Sequence, residues 1–370
     1  MKITNVECLI IDKNFPYVLI ETDEGIVGVG ECFRRAPLVT KSAIDYVYKD
    51  ILIGLNAEKI SDIWNKLFNA SSVAGPYGSL LTAVSGIDTA LWDIKLKKSN
   101  QPLSEAFGGK KKKFIEIYAS SMRRDMLPEE EAERALYFFE KGFKFYKMHS
   151  AFPEEIDSPK DNTLKTVEAI RKVLGDKIQI MVDVNGAYSL KKALEIGKEL
   201  ENFDVFQFEQ PVHVTMLDEM KILQEKLQIN ISSGECCYTV PDFINLIEKC
   251  SPDIIQPDAI KTGGITEFLK ISSELISRDQ TIMIHNTQPL ISTSIHMNFL
   301  SANPKLNLPL EYNIEKNSLI DNPIVSENFK ISEGKIEIPN KNSFGLDFDL
   351  EVHFYENNIV NHLHKYLQNR

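Results

Sequence analysis

From residue 114 onward the chain repeats one pattern eight times: a short apolar run, a polar tip, then a helical stretch. The runs are FIEIYASS (114–121), FKFYKMHS (143–150), IQIMVDVN (178–185), VFQFEQP (205–211), INISSGE (229–235), DIIQPDA (253–259), TIMIHN (281–286) and NLPLEYN (307–313). Helical patterns fill residues 128–142, 163–174, 189–202 and 240–250 between them. Strands alternating with helices imply a parallel sheet, and eight such strands close into a (β/α)8 barrel. Ahead of the repeat, residues 1–112 read as an α+β unit. Strand alternation at 2–11 and 17–22, a turn at Asp23-Glu24-Gly25 and a strand at 26–31 precede helical patterns at 42–53, 57–68 and 79–97. The chain after about residue 340 is polar and irregular, and a short helical pattern at 358–367 ends it. The expected organisation is therefore a unit at 1–112, a barrel at 113–325 and a segment at 326–370 that returns to the first unit.

In a parallel barrel the carboxyl ends of the strands share one rim, and the rim carries the chemistry. The third run, MVDVNGAYS, ends on Asp183, an acid in a stretch built for burial. A buried acid is paired, protonated or bound to a metal. Asp183 and Glu209 lie 26 residues apart, and so do Glu209 and Glu235. Singly, each acid reads as a rim residue in a salt bridge, and Asp183 as the start of an Asn-Gly turn. Together they set three carboxylates at one height on strands 3, 4 and 5, where they repel one another unless a cation neutralises them. Oxygen-only donors select a hard cation, Mg2+ before Mn2+ or Ca2+, and a trio without His or Cys argues against zinc.

Proton-transfer groups flank the trio. Asp258 and His285 end strands 6 and 7, so neighbouring tips can pair, the acid orienting the ring. On the other side Lys147 and His149 are two apart and point the same way, into the site. Alone, either histidine reads as a structural hydrogen-bond partner. Glu311, at the eighth tip, faces the trio across the barrel. Protonated, it would donate a hydrogen bond to an oxygen gaining charge; ionised, it is an ordinary ion-pair partner. A divalent ion with a base on each face suits removal of a proton next to a carboxylate, through an enediolate that the metal stabilises. The intermediate then either takes a proton on the other face or loses a β-hydroxyl as water.

Composition narrows the partners. The net charge of −11 argues against a nucleic-acid surface, and the basic run at residues 110–113 reads as a solvated connector. No apolar stretch approaches the roughly 20 residues of a membrane span, and no signal-peptide pattern opens the chain. Five cysteines without metal-ligand spacing suit a reducing compartment, so a cytoplasmic location is expected.

These motifs, in this order, resemble the enolase superfamily and, within it, the mandelate racemase subgroup. The resemblance runs through GIVGVGE (25–31), AVSGIDTALWDIKLKKSNQPLSEAFGG (83–109), YASSMRRD (118–125), GFKFYKMH, VDVNGAYS, FEQP, GE (234–235), IIQPDAIKTGGIT and IHN. It implies an α+β amino-terminal capping domain over a modified (β/α)7β TIM-type barrel, with the eighth strand irregular. It also implies one Mg2+ per subunit on Asp183, Glu209 and Glu235, a His285–Asp258 dyad, and Glu311 as an electrophile near the substrate carboxylate; enolase-type sites pair such a metal with a Lys or His base. The subgroup often carries Lys-x-Lys at strand 2. Here Lys147 matches the supporting lysine and His149 takes the base slot, which leaves open which face is deprotonated. The implied activity is dehydration of a sugar acid (aldonate or aldarate) to a 2-keto-3-deoxy acid, with racemisation or epimerisation of a 2-hydroxy acid as the alternative and a non-catalytic sugar-acid-binding barrel as a second. Loops near 14–35 and 71–78 are the expected lids, with Phe15, Tyr17, Arg34 and Tyr77 as candidate substrate contacts and Asn185 reaching a hydroxyl. The resemblance also implies a homo-oligomer, dimer-based, such as an octamer.

Overall fold

The computed structural model describes residues 1–317, 319, 324–325 and 327–348. The amino-terminal unit is built on an antiparallel sheet of β1 (Ile3–Ile11), β2 (Phe15–Thr22) and β3 (Val27–Glu31), in that order. Both faces are covered, and period-2 alternation sorts them. Leu9, Ile11, Phe15, Tyr17 and Leu19 join the barrel-side core, whereas Val6, Cys8, Val18 and Ile20 join the core under the unit's own helices. Those helices are α1 (Pro37–Ala43), continued through residues 44–48 into α2 (Lys49–Leu52), then α3 (Ile60–Ala70) and α4 (Ser79–Ser99). The first helix starts five residues earlier than the expected 42, because Pro37 occupies its first turn, where a missing N–H costs nothing. Helix α4 lies so close to β3 that a Cβ on Gly30 would sit 1.9 Å from the Gly86 carbonyl oxygen. The edge N–H groups of Val29 and Glu31 are capped by Asp93 (2.8 Å) and Thr89 (3.2 Å) of that helix.

After α5 (Leu103–Ala106) the barrel follows: β4 (Phe114–Ser121), α6 (Pro128–Glu140), β5 (Phe145–His149), α7 (Thr163–Leu174), β6 (Gln179–Asp183), α8 (Leu190–Asn202), β7 (Gln207–Glu209), α9 (Leu217–Lys226), β8 (Asn230–Ser233), α10 (Val240–Cys250), β9 (Ile254–Ile255), α11 (Ile265–Ser277), α12 (Ile291–Ala302) and β10 (Leu310–Asn313). Strands β4 through β9 pair in parallel, and β10 pairs with β4, Glu311 opposite Tyr118. The sixth and seventh runs are shorter than the sequence suggests. Only Ile254 and Ile255 form strand, joined to the seventh run by Ile255 N–H to Thr281 and Met283 N–H to Ile255, because the next link falls at Pro257, which has no N–H to give. Between the seventh run and β10, Asn286 makes the join, its side-chain amide donating to the Glu311 carbonyl (3.0 Å). Among the described residues, helices α6 to α12 alternate with strands β4 to β9 and the seventh run, and β10 closes the sheet onto β4, in keeping with the (β/α)7β arrangement. Further along, a hairpin of β11 (Ile331–Ser332) and β12 (Lys335–Glu337) joins the sheet, β12 running antiparallel to the start of β4. Its turn, Glu333-Gly334 with positive φ at both residues, lies in the tract ISEGKIEI.

Two seams tie the units together. Trp64 of α3 donates to the Gly263 carbonyl (2.7 Å), and Ser85 and Asp88 of α4 accept from the backbone of Gly263 and Thr266. Residues 327–348 touch the first unit through Ser343, which bonds the backbone of Gln101 and Leu103, and through Phe348 against the Tyr17 ring. The helical pattern expected at 358–367 lies outside the described residues. Among the described residues no helix is long and apolar enough to cross a membrane.

Candidate active site

Parallel register sets the rim. His149 pairs with Asp183, and Asp183 with Glu209, on consecutive strands. Tyr118, Met181, Ile254 and Met283 form a small apolar cluster of their own in the barrel. Among the acidic tips lies the Lys147 ammonium, 2.7 Å from Glu311, 3.0 Å from Glu209 and 3.8 Å from Asp183. The two histidines approach from opposite sides in matching poses. His149 gives its Nδ1–H to the Ser121 carbonyl (2.6 Å) and presents Nε2 to Asp183 (2.9 Å). His285 turns Nδ1 to Asp258 (2.7 Å) and Nε2 to Glu235 (2.9 Å). Both rings therefore face the carboxylate trio.

The charges respond to this packing. Burial, reinforced by the neighbouring Asp183, pushes the Glu209 carboxyl up to about 8 despite Lys147. Asp183 is buried too, yet His149 and Lys147 hold it down to about 2. Burial would lower His285, but Glu235 and the Asp258 hydrogen bond raise it to about 10. Glu311 differs from the neutral donor entertained above. Against its burial, the ammonium of Lys147 holds it down to about 2, and it accepts from Ser120 (2.7 Å) and the Asn286 N–H (2.9 Å). In this arrangement Glu311 is the counter-charge of Lys147.

Among the described residues, no three His, Cys, Asp or Glu side chains stand as a closed cation cage. The reason is visible: the three acids already hold Lys147, His149 and His285 as counter-charges. The donor set itself fits a hard divalent ion, since it is all oxygen, with Asp183 and Glu209 buried and Glu235 partly open, and Asp183, Glu311 and Glu235 each add to the proton affinity of Glu209. A hard divalent ion held by Asp183, Glu209 and Glu235 would offset that repulsion.

The remaining candidates divide. Arg34 sits in the loop between β3 and α1, its backbone N–H on Gln288 (2.6 Å). Asn185 donates to Asp183 through its backbone (2.8 Å) and accepts from Arg124. Tyr77 is exposed, donating to Asp242 (3.3 Å) and stacked on Tyr238 beside α10. Tyr17 is placed elsewhere: fully buried in β2, it donates to Glu31, whose other oxygen takes the Ser292 N–H of α12. It joins the two units, and only residues 32–35 of the expected 14–35 loop follow β3 toward the rim. Alternation with Phe15 and Leu19 carried that signal. Sequence reasoning passed over Arg124, Phe33 and Lys261. The Lys261 ammonium lies 4.7 Å from the Phe33 ring centre and 3.9 Å from Glu235. Its place three residues past Asp258 was the available signal. A cavity of about 770 Å³ lies away from the rim along residues 110–113, whose four ammoniums are engaged by carbonyls and Glu337.

A capped parallel barrel with a buried acidic rim between two imidazoles defines a class of carboxylate-handling barrels. Residues 10–108 match the mandelate racemase / muconate lactonizing enzyme N-terminal domain, and residues 129–352 the enolase C-terminal domain-like family. The chain belongs to the mandelate racemase / muconate lactonizing enzyme family of the enolase superfamily. It is 31% identical over 334 residues to the arabinonate dehydratase of Saccharolobus solfataricus, covering 88% of this chain and 86% of that one. The crystal structure of the 3,6-anhydro-D-galactonate cycloisomerase from Zobellia galactanivorans aligns with a TM-score of 0.84 at 33% identity, over 95% of this chain and 98% of that one. A mandelate racemase/muconate lactonizing protein from Paracoccus denitrificans complexed with magnesium aligns at 0.87 with 23% identity, over 94% and 95%, a likeness of fold alone.

Proposed function

We propose that the protein is a Mg2+-dependent acid-sugar dehydratase: it removes the proton alpha to the carboxylate of an aldonate or aldarate and expels the β-hydroxyl, giving a 2-keto-3-deoxy acid. The observation that carries this reading is the pair of imidazole Nε2 atoms held at 2.9 Å from acids of one trio, from opposite sides. The likeness to an arabinonate dehydratase over most of both chains supports the reaction class. One Mg2+ per subunit, on Asp183, Glu209 and Glu235, would supply positive charge against the enediolate. Lys147 keeps the acidic cluster from self-repulsion and faces the substrate carboxylate. The backing groups divide the histidines. His149 is backed by a neutral carbonyl, which fixes the Nδ1–H tautomer and leaves Nε2 as the base. His285 is backed by the Asp258 carboxylate, which favours imidazolium and suits proton delivery to the departing hydroxyl.

The test is to incubate hexonates, pentonates and hexarates with Mg2+ in D2O, following the α-proton by NMR and 2-keto-3-deoxy products with semicarbazide. Product from any member supports dehydration. The symmetric imidazoles also suit racemisation or epimerisation, which would appear as α-proton exchange with no semicarbazide adduct. Neither signal across the panel would leave a binding barrel. The five free cysteines support a reducing, cytoplasmic setting. The exposed apolar residues Leu38, Val39 and Tyr46 along one helical stretch support a homo-oligomer, which sedimentation would size.

A further inference from the structure

Arginines in folded proteins pair with carboxylates or cap carbonyls, because a guanidinium taken out of water without a counter-charge is destabilising. Most of the described arginines obey this. Arg123 pairs with Asp125, Arg134 with Glu315, Arg278 with Glu274, and Arg171 caps four backbone carbonyls. Arg34, Arg35 and Arg124 stand apart, with no ion pair among the described residues, and all three gather above the rim. The Nε groups of Arg34 and of Arg124 are both buried and without a hydrogen-bond partner. Each guanidinium feels Arg35 as a repelling neighbour and Glu235 as an attracting one, so the three share one region with the trio.

Their supports come from different units. The Gln288 side chain accepts from the Arg34 N–H (2.6 Å) and donates to the Cys32 carbonyl (3.1 Å), fixing the capping-unit loop to the barrel. Arg124 follows β4 and is steadied by Asn185, which in turn bonds Asp183. Three cations from two units, two of them held in place and none with an ion pair among the described residues, make a receptor for an anion that arrives with the substrate.

We propose that Arg34 and Arg124, with Arg35 at the solvent edge, clamp a second anionic group at the far end of the sugar acid, so that the preferred substrates are doubly charged: aldarates, or aldonates bearing a terminal phosphate. This rests on the acid-sugar reading and narrows it from singly to doubly charged acids. Guanidinium matches both carboxylate and phosphate through paired N–H donors.

Binding tests the clamp independently of turnover. Calorimetric titration of the Mg2+-loaded protein with a hexarate, a 6-phosphohexonate and the matching hexonate should give at least one dianion bound about 10- to 100-fold more tightly than the monoanion, the range expected of charge-assisted hydrogen bonds. The tighter of the two dianions names the terminal group. In Arg34→Gln and Arg124→Gln, checked for unchanged thermal midpoints, that ratio should fall toward unity. Equal affinity for mono- and dianions in the wild type, no binding by any of the three, or a ratio untouched by both substitutions would overturn the clamp. Parallel α-proton exchange separates the two ideas. Dianion preference without exchange keeps the clamp and removes the dehydratase reading, whereas hexonate dehydration without preference does the reverse.

Discussion

Replacing Lys147 with methionine is the sharpest probe of the rim. The side chain is 1% exposed and its ammonium lies within 3.0 Å of both Glu209 and Glu311. Methionine keeps the length and removes the charge. Breaking a buried ion cluster by deleting one partner costs about 3–5 kcal/mol, because the other charges stay behind uncompensated. Here part of that cost has an escape. Glu209 holds its proton to about 8 even beside the ammonium, so without it Glu209 stays neutral at pH 7. The expected loss is therefore at the low end, about 3 kcal/mol at pH 7. It grows above pH 8, where Glu209 must either ionise beside Glu311 or hold its proton against the solvent. Urea denaturation of metal-free wild type and variant at pH 7 and pH 9 reads both effects from the midpoints.

The same experiment examines the cation. A ligand that binds only the folded state at a hundred times its Kd adds about 2.7 kcal/mol. Millimolar Mg2+ should raise both midpoints, and should raise the variant more, since the ion is then the main positive charge left among the acids. A metal-free variant as stable as wild type at both pH values would refute the coupling of these carboxylates. Midpoints indifferent to Mg2+ in both proteins would refute the trio as a cation site.

Three further outcomes are expected. His285→Asn should cut product formation about 10²- to 10⁴-fold while α-proton washout into D2O persists, and His149→Asn should lose both; the opposite pattern would exchange their roles. Asp88, in the seam between α4 and α11, has its carboxyl pushed by burial from 3.8 up to about 7. The folded state therefore holds a proton that the unfolded chain releases. That contribution is complete below pH 3.8 and is lost as pH rises through 7, so Asp88→Asn should gain on wild type in denaturant midpoint between pH 5 and pH 8, and a pH-independent difference would count against the argument. Gly30→Ala should destabilise by about 1–3 kcal/mol, since its methyl would meet the Gly86 oxygen at 1.9 Å and force α4 from the sheet; an unchanged thermal midpoint would mean that the seam yields.

The rim was legible in the sequence because register is a local property. The 26 residues between Asp183 and Glu209 become a shared height through the strand–helix repeat, whereas Glu235 stands three residues past Ser232, the residue opposite Glu209, so equal spacing did not put it in the same register. Two-residue alternation suffices to aim Lys147 and His149 together. What failed to show depends on contacts distant in sequence. Glu311 looked equally able to be acid or counter-ion until its 2.7 Å approach to Lys147, 164 residues earlier, decided for the ion. The hairpin at 331–337 was passed over because its strands are two and three residues long, too short for periodicity to register. Tyr17 was misjudged for the opposite reason: an aromatic beside a presumed loop outweighed an alternation that already assigned it to the core.

Chemistry and selectivity are thus written differently in this chain. The groups proposed to move protons and to hold the metal stand at or just past strand tips whose positions the barrel dictates, so a change there should alter whether the reaction runs. Arg34, Arg35 and Arg124 stand on loops, one set in each unit, and meet only because Gln288 and Asn185 hold those loops over the rim. Loops accept substitution without disturbing the strands beneath them, which lets substrate preference change while the acidic trio and its imidazoles keep their places. The guanidiniums without an ion pair among the described residues are accordingly where the proposed preference for doubly charged acids would be decided.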